Sequence, residues 1–227
     1  MYVMKVFALI MAGGSGTRMG VAKAKQSLEL SGKKIFRITV DKFNLFDCID
    51  GIVFVGRKED IDEYTAELEN MEKVVEIVEG GNTRSESVYN GLKALEKFSP
   101  QIVAVHDAVR PFVEETSVKQ SIDAAYKYGA AVVAVPAVDT VALTDNGFVE
   151  EVLKRDALRN LQTPQTFRYD LLKESYERAF KDGKIYTDDT GCVFTSGIKI
   201  KIIEGSKSNI KITEPLDMIK AESLYRV

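Results

Sequence analysis

Short runs of β-branched and aliphatic residues alternate along the chain with helix-length segments whose apolar residues recur every three or four positions, and this alternation leaves few folds open. The runs lie at 3–11, 52–55, 74–78, 102–105, 131–135 and 198–203, each nearly continuous in apolar character, as strands covered on both faces are. Between them Phe36, Thr39, Val40, Phe43 and Phe46 form one helical stripe, and Ile61, Tyr64, Leu68 and Met71 a second. Val88, Leu92 and Leu95 form a third, and Val118, Ile122, Ala125 and Tyr126 a fourth. Strands joined by crossover helices predict an α/β fold with a mostly parallel sheet. One stretch breaks the alternation: 138–153 reads as two extended arms around Asp145-Asn146-Gly147, a strong hairpin signal. An isolated ribbon is marginally stable, so this arm, about 138–158 with its flanks, is expected to lean on another surface, that of a second subunit. No linker, repeat or charge block divides the 227 residues, and one domain, 1–227, with an arm is the expectation.

Charge narrows the function. With 31 basic and 34 acidic side chains the net charge is -3, which excludes a strongly cationic nucleic-acid binder. No apolar run approaches the roughly 18 residues of a spanning helix, and the N-terminus lacks a basic leader and a small-residue cleavage site, so a soluble protein is expected. Cys48 and Cys192 form no CxxC, and His106 is the single histidine, so no set of ligands for structural zinc exists. Reduced thiols in the cytoplasm are the expectation. His106 also has no G-x-S-x-G nucleophile near it, which removes the usual serine triads.

Three constellations carry chemistry. After the first strand comes Ala12-Gly13-Gly14-Ser15-Gly16-Thr17-Arg18-Met19-Gly20, with Lys23 and Lys25 following. Glycines bring backbone N–H donors close to an anion, and the cations supply fixed positive charge. It is not a Walker A loop, which needs Lys-Ser or Lys-Thr after its last glycine, nor G-x-G-x-x-G, since Met19 stands where the third glycine belongs. A purely structural βα turn is the competing reading. The second constellation, Gly80-Gly81-Asn82-Thr83-Arg84-Ser85-Glu86-Ser87, opens the third helix, where N–H groups and hydroxyls suit an anion or a nucleotide, or only a capped turn. The third is Val105-His106-Asp107-Ala108-Val109-Arg110-Pro111, an apolar strand ending in a carboxylate. Ligands of open α/β sheets bind outside the carboxyl ends of the strands. A hard oxygen ligand beside phosphates points to Mg²⁺ at Asp107, whereas His106 reads as a packed imidazole.

Further polar clusters stand where apolar patterns stop: Asp139-Thr140 and Arg155 beside the hairpin, the 161–167 segment LQTPQTF, Thr187-Asp188-Asp189, and Lys211 between strand-like residues. Gathered in one crevice, these groups suit a polyphosphate and a second phosphorylated substrate.

The ordered set AGGSGTRMG, AKQ, GGNTRSESV, HDAVRP, VDT, LQTPQTF, TDD and NIKIT resembles the 2-C-methyl-D-erythritol 4-phosphate cytidylyltransferases over nearly the whole chain. The resemblance implies a Rossmann-like, nucleotide-diphosphosugar-transferase-type fold, Mg²⁺, a homodimer built by interlocking β-arms, and transfer of a cytidylyl group from CTP with release of pyrophosphate. Carried onto matching positions, it implies that Arg18, Lys25 and Lys211 act on the phosphates and Asp107 holds the metal. Ala12, Gly13, Gly14, Ser15, Gly16, Gly81, Asn82 and Ser87 would bind the nucleotide, and Thr140, Arg155, Thr163 and Thr187 the acceptor, Thr140 and Arg155 from the neighbouring subunit. Two departures are Ala24, where the family usually has proline, and Asn82, where many members carry an acid.

Ribitol 5-phosphate cytidylyltransferases share most of these motifs, so ribitol phosphate is the alternative acceptor. A non-catalytic nucleotide-sensing module is the alternative from another class. A nicotinamide-dependent oxidoreductase is disfavoured by the missing third glycine and by Val55-Gly56-Arg57 at the end of the second strand, where an acid belongs.

Overall fold

A computed structural model of the chain describes residues 4–14 and 27–226. The strands are β1 Val6–Ala12, β2 Glu29–Leu30, β3 Lys33–Lys34, β4 Gly51–Gly56, β5 Val74–Glu79, β6 Ile102–Asp107, β7 Ala130–Pro136, β8 Ala142–Asp145, β9 Phe148–Val152, β10 Arg159–Arg168 and β11 Lys201–Glu204. The helices are α1 Ile35–Leu45, α2 Ile61–Leu68, α3 Arg84–Leu95, α4 Glu115–Tyr128, α5 Tyr169–Lys181, α6 Asp189–Phe194 and α7 Pro215–Tyr225.

Seven strands form one sheet in the order β11-β7-β10-β6-β1-β4-β5. β1 runs parallel to β4 and β6, β4 to β5, and β7 to β11, while β10 is antiparallel to both neighbours. The mostly parallel α/β expectation therefore holds. Alternation along β1 explains its unbroken apolar run. Ala8 and Ile10 pack on one face with Phe36, Phe43, Tyr64, Val118 and Ile122 from α1, α2 and α4. Phe7, Leu9 and Met11 pack on the other with Val88, Leu92, Leu172 and Tyr176 from α3 and α5. Both faces are apolar because both carry helices.

Four expectations need correction. Met4 and Lys5 precede the first strand, which is Val6–Ala12 rather than a run ending at Met11, and the last strand is Lys201–Glu204, not 198–203. The 74–78 run becomes an edge strand, only part-buried, because no described strand pairs beyond it. Tyr126, assigned to the core stripe of the fourth helix, is 60% exposed, since it lies at the margin of the buried arc of α4. Most consequentially, 161–167 is not a polar cluster closing an apolar pattern but part of β10, inserted between β6 and β7 in the middle of the sheet.

The hairpin is as expected. β8 pairs with β9 through Asp145 opposite Phe148, and Asn146 and Gly147 both take positive φ (48° and 86°), the geometry of a tight two-residue turn. Neither strand has a buried residue, and Leu143, Phe148, Val149 and Val152 are 52–74% exposed.

Candidate active site

Parallel registry brings the ends of β1 and β6 side by side, with Met11 opposite Asp107, and the Ala108 N–H donates to the Met11 carbonyl at 2.9 Å. The loop leaving β1 and the carboxylate ending β6 thus open on the same crevice. Beyond β4 and β5, the Gly80 N–H donates to the Gly56 carbonyl at 2.8 Å, turning the second glycine loop toward the first. One cleft results, lined by Met11, Ala12, Gly13, Gly14, Gly81, Asn82, Thr83, Arg84, Ser87, Asp107, Val109 and Lys211.

The second loop is held by a capping box at the start of α3. Thr83 Oγ1 accepts the Glu86 N–H at 3.1 Å, while Glu86 Oε2 accepts the N–H groups of Asn82 and Thr83 at 2.7 and 3.3 Å. A Cβ on Gly81 would sit 2.3 Å from Glu86 Cβ, so only glycine passes this close to the cap. Ser87 Oγ accepts the Gly81 N–H at 3.0 Å and donates to the Thr83 carbonyl at 2.9 Å.

Asp107 is the electrostatic centre. Its Oδ2 receives the Lys211 ammonium at 2.8 Å and Arg110 Nε at 3.3 Å. Burial pushes the carboxyl pKa up, but Lys211, Arg110 and Arg84 outweigh it and hold the group well below the usual carboxylate range. Lys211 reaches Asp107 because its segment is bound to the turn after β6: Arg110 donates to the Asn209 carbonyl at 2.8 Å, and the Ile212 N–H donates to the Val109 carbonyl at 3.0 Å. That segment belongs to no strand, unlike the sequence expectation.

His106 and Thr163 support Asp107 from below. The Arg110 carbonyl can only accept, so His106 Nε2 donates to it at 3.1 Å and Nδ1 accepts from the Thr163 hydroxyl at 3.0 Å. The same hydroxyl oxygen accepts the Asp107 N–H at 3.1 Å. Burial pushes the imidazole pKa down to about 4, against the opposing effect of the Arg110 carbonyl, so His106 is neutral. The unfolded chain binds this proton more readily than the fold does. Stability therefore falls as pH drops from about 6.5 toward 4, and is independent of this group above that range. Between pH 7 and pH 5 we expect a loss of about 2 kcal/mol in urea unfolding, absent in His106→Gln. A flat profile in the unsubstituted protein would mean that the fold accommodates an imidazolium.

Of the residues singled out in the sequence, Ala12, Gly13, Gly14, Gly81, Asn82, Ser87, Asp107 and Lys211 meet at the cleft. Ser15, Gly16, Arg18 and Lys25 lie outside the described residues. Thr163 is buried beneath Asp107, where its hydroxyl bonds the Asp107 N–H and the His106 imidazole. Thr140, Arg155 and Thr187 are exposed and do not line the cleft within this chain. Sequence reasoning gave no role to Arg84 or Arg110. A cation in the first turn of a helix opposes the macrodipole, and that mismatch at Arg84 was the available signal.

A family model described as 2-C-methyl-D-erythritol 4-phosphate cytidylyltransferase matches residues 6–226. Proteins of that name from Thermosipho africanus and Clostridium novyi are 39% and 40% identical to this chain, covering 94% and 96% of it and 95% of each relative. The 4-diphosphocytidyl-2C-methyl-D-erythritol synthase of Anaerococcus prevotii superposes with a TM-score of 0.88 at 34% identity, covering 99% of this chain and 97% of its own. The Thermus thermophilus 2-C-methyl-D-erythritol 4-phosphate cytidylyltransferase superposes at 0.79 and 31%, covering 99% and 100%.

Proposed function

The chain belongs to the 2-C-methyl-D-erythritol 4-phosphate cytidylyltransferase family, and from that premise we propose how its cleft performs the reaction. The protein is a CTP-dependent cytidylyltransferase that transfers a cytidylyl group from CTP to 2-C-methyl-D-erythritol 4-phosphate in isoprenoid biosynthesis. An oxygen of the acceptor phosphate attacks the α-phosphorus, the bond from that phosphorus to the bridging oxygen breaks, and pyrophosphate leaves. The acceptor oxygen is already ionised, so no side-chain base is needed. Alignment and neutralisation of two anions are what the site must supply.

The observation carrying this reading is that a carboxylate, the Lys211 cation and two glycine loops share one cleft at the strand ends. Ala12, Gly13, Gly14, Gly81, Asn82 and Ser87 bind the nucleotide, and Lys211, with Arg18 and Lys25, stabilises charge around the α-phosphorus. With 39% of its side chain exposed, Lys211 is free to exchange Asp107 for an arriving phosphate. Asp107 would hold Mg²⁺. An ionised hard-oxygen donor at the cleft fits that ion, which commonly takes one or two carboxylates and completes its shell with phosphate oxygens and water. When bound, the ion would supply positive charge that offsets the negative charge of the phosphates.

Subunit contact is our reading of the β8–β9 arm, whose Leu143, Phe148, Val149 and Val152 stay exposed among the described residues. In a homodimer the partner's surface covers them, and Thr140 and Arg155 then reach the neighbouring cleft. Phe148→Asp combined with Val149→Asp is expected to convert dimer to monomer in sedimentation and to lower turnover; a monomeric unsubstituted protein at full activity would remove the shared site. Among the described residues no helix is long and apolar enough to cross a membrane. The two free thiols support a reducing, cytoplasmic setting, which cell fractionation checks.

The deciding assay follows pyrophosphate release with CTP and Mg²⁺, offering methylerythritol phosphate and ribitol phosphate side by side. Release with the first alone is expected. Preference for ribitol phosphate would reassign the acceptor, and CTP binding without turnover on either would favour a nucleotide sensor.

A further inference from the structure

The start of α3, which carries the second glycine loop, and the start of α6, which follows Thr187, are far apart in the chain yet joined side chain to side chain. Arg84, the first residue of α3, donates from Nη1 to Asp189 Oδ1 at 3.0 Å and from Nη2 to Oδ2 at 2.6 Å, a two-pronged pair with a wholly buried carboxylate. The Tyr176 hydroxyl adds a third donor to Asp189, at 2.5 Å. The turn bearing Asp189 is itself fixed to the sheet. Gln165 Oε1 accepts the N–H groups of Asp189 and Thr190 at 3.0 and 2.8 Å, and its Nε2 donates to Asp188 Oδ2 at 3.2 Å. Gln165 lies opposite Val105 on β6, close to Asp107 in the same strand.

We propose that Asp189 is a positioning residue that acts through Arg84, holding the guanidinium as a fixed wall of the nucleotide cleft and setting the spacing between the 80–87 loop and the Thr187 turn. Three features support it. Arg84 lines the cleft together with Asp107 and Lys211. A cation at N1 of a helix is disfavoured by the macrodipole, whereas an acid at the first position of α6 is favoured, so the pair reconciles two helix starts with opposite needs. An Arg84 released from Asp189 would have Asp107 as its next carboxylate, where it would compete with Lys211. The cation and Asp107 already feel each other, since Arg84 is among the groups lowering the Asp107 pKa.

This inference rests on the cleft being the CTP site. The test is steady-state kinetics and melting of Asp189→Asn, Arg84→Lys, their double variant and Tyr176→Phe, each beside the unsubstituted enzyme. Asp189→Asn and Arg84→Lys should each raise the KM for CTP by about tenfold with a smaller change in kcat, because a lysine ammonium lacks the two-pronged fork. The double variant should be no worse than the worse single one, since the two residues act as one unit. Tyr176→Phe removes a bond to Asp189 but not the Arg84 pair, so it should lower Tm and leave KM within about twofold. The proposal is overturned if Asp189→Asn behaves like Tyr176→Phe, lowering Tm with KM unmoved, or if the two KM effects multiply. Should Asp189→Asn not fold, Arg84→Lys decides alone, and an unchanged KM there overturns the proposal. Absence of CTP turnover in the unsubstituted enzyme would instead remove the CTP site itself.

Discussion

Asp107→Asn is expected to lower turnover by about a thousandfold, or about 4 kcal/mol of transition-state stabilisation, in a protein that still folds. Asparagine keeps the shape of the side chain and deletes its charge. Lys211 and Arg110 then lose the anion that gathers them, and the cleft loses its ionised oxygen donor. The carboxyl pKa lies well below the neutral range because the surrounding cations outweigh burial, so the group stays ionised from pH 5 to 9 and contributes no inflection to the rate profile there. Asp107→Glu retains the charge but moves it by one methylene, and should fall between the two. The measurement is kcat from pyrophosphate release, with circular dichroism melting as the folding control. Retention of more than about a tenth of the turnover by a folded Asp107→Asn would remove Asp107 from the chemistry.

Lys211→Ala is expected to cost about a hundredfold in kcat with KM for CTP little changed. Its ion pair with Asp107 contributes little to folding: the side chain is 39% exposed and Arg110 remains on the same carboxylate, so the stability cost should stay within about 1 kcal/mol. A large kinetic effect on a small stability background is the signature of a group acting on charge that grows during reaction. Lys211→Arg should recover part of the loss, since the charge returns in a different shape. A change confined to KM would make Lys211 a binding group only.

The strand that sequence reasoning missed shows where periodicity stops being informative. Gln162, Thr163, Gln165 and Thr166 are all buried in β10, in the middle of the sheet, yet read as a polar loop interrupted by Pro164. Each has a partner from elsewhere in the chain: Ser206 for Gln162, Asp107 and His106 for Thr163, Asp188 for Gln165 and Ser121 for Thr166. Buried polar groups are stable only when such partners exist, and a local window cannot see them. The proline is tolerated because the register shifts between Leu161 and Gln165, freeing that stretch from regular pairing. The helical stripes of α1 to α3, by contrast, were legible because an apolar face needs only something apolar to cover it.

By itself the sequence determined the sheet class, the asparagine-glycine hairpin, the two glycine loops and the placing of Asp107 at a strand end, because each depends on backbone preference or on periodic burial within a short window. The tertiary structure alone decided which charges face one another. Lys211 and Arg110 on Asp107, His106 neutral beneath it, and Arg84 fastened to Asp189 are electrostatic choices that arise only once distant segments close around a common low-dielectric interior, where an ion without a partner is too costly to keep.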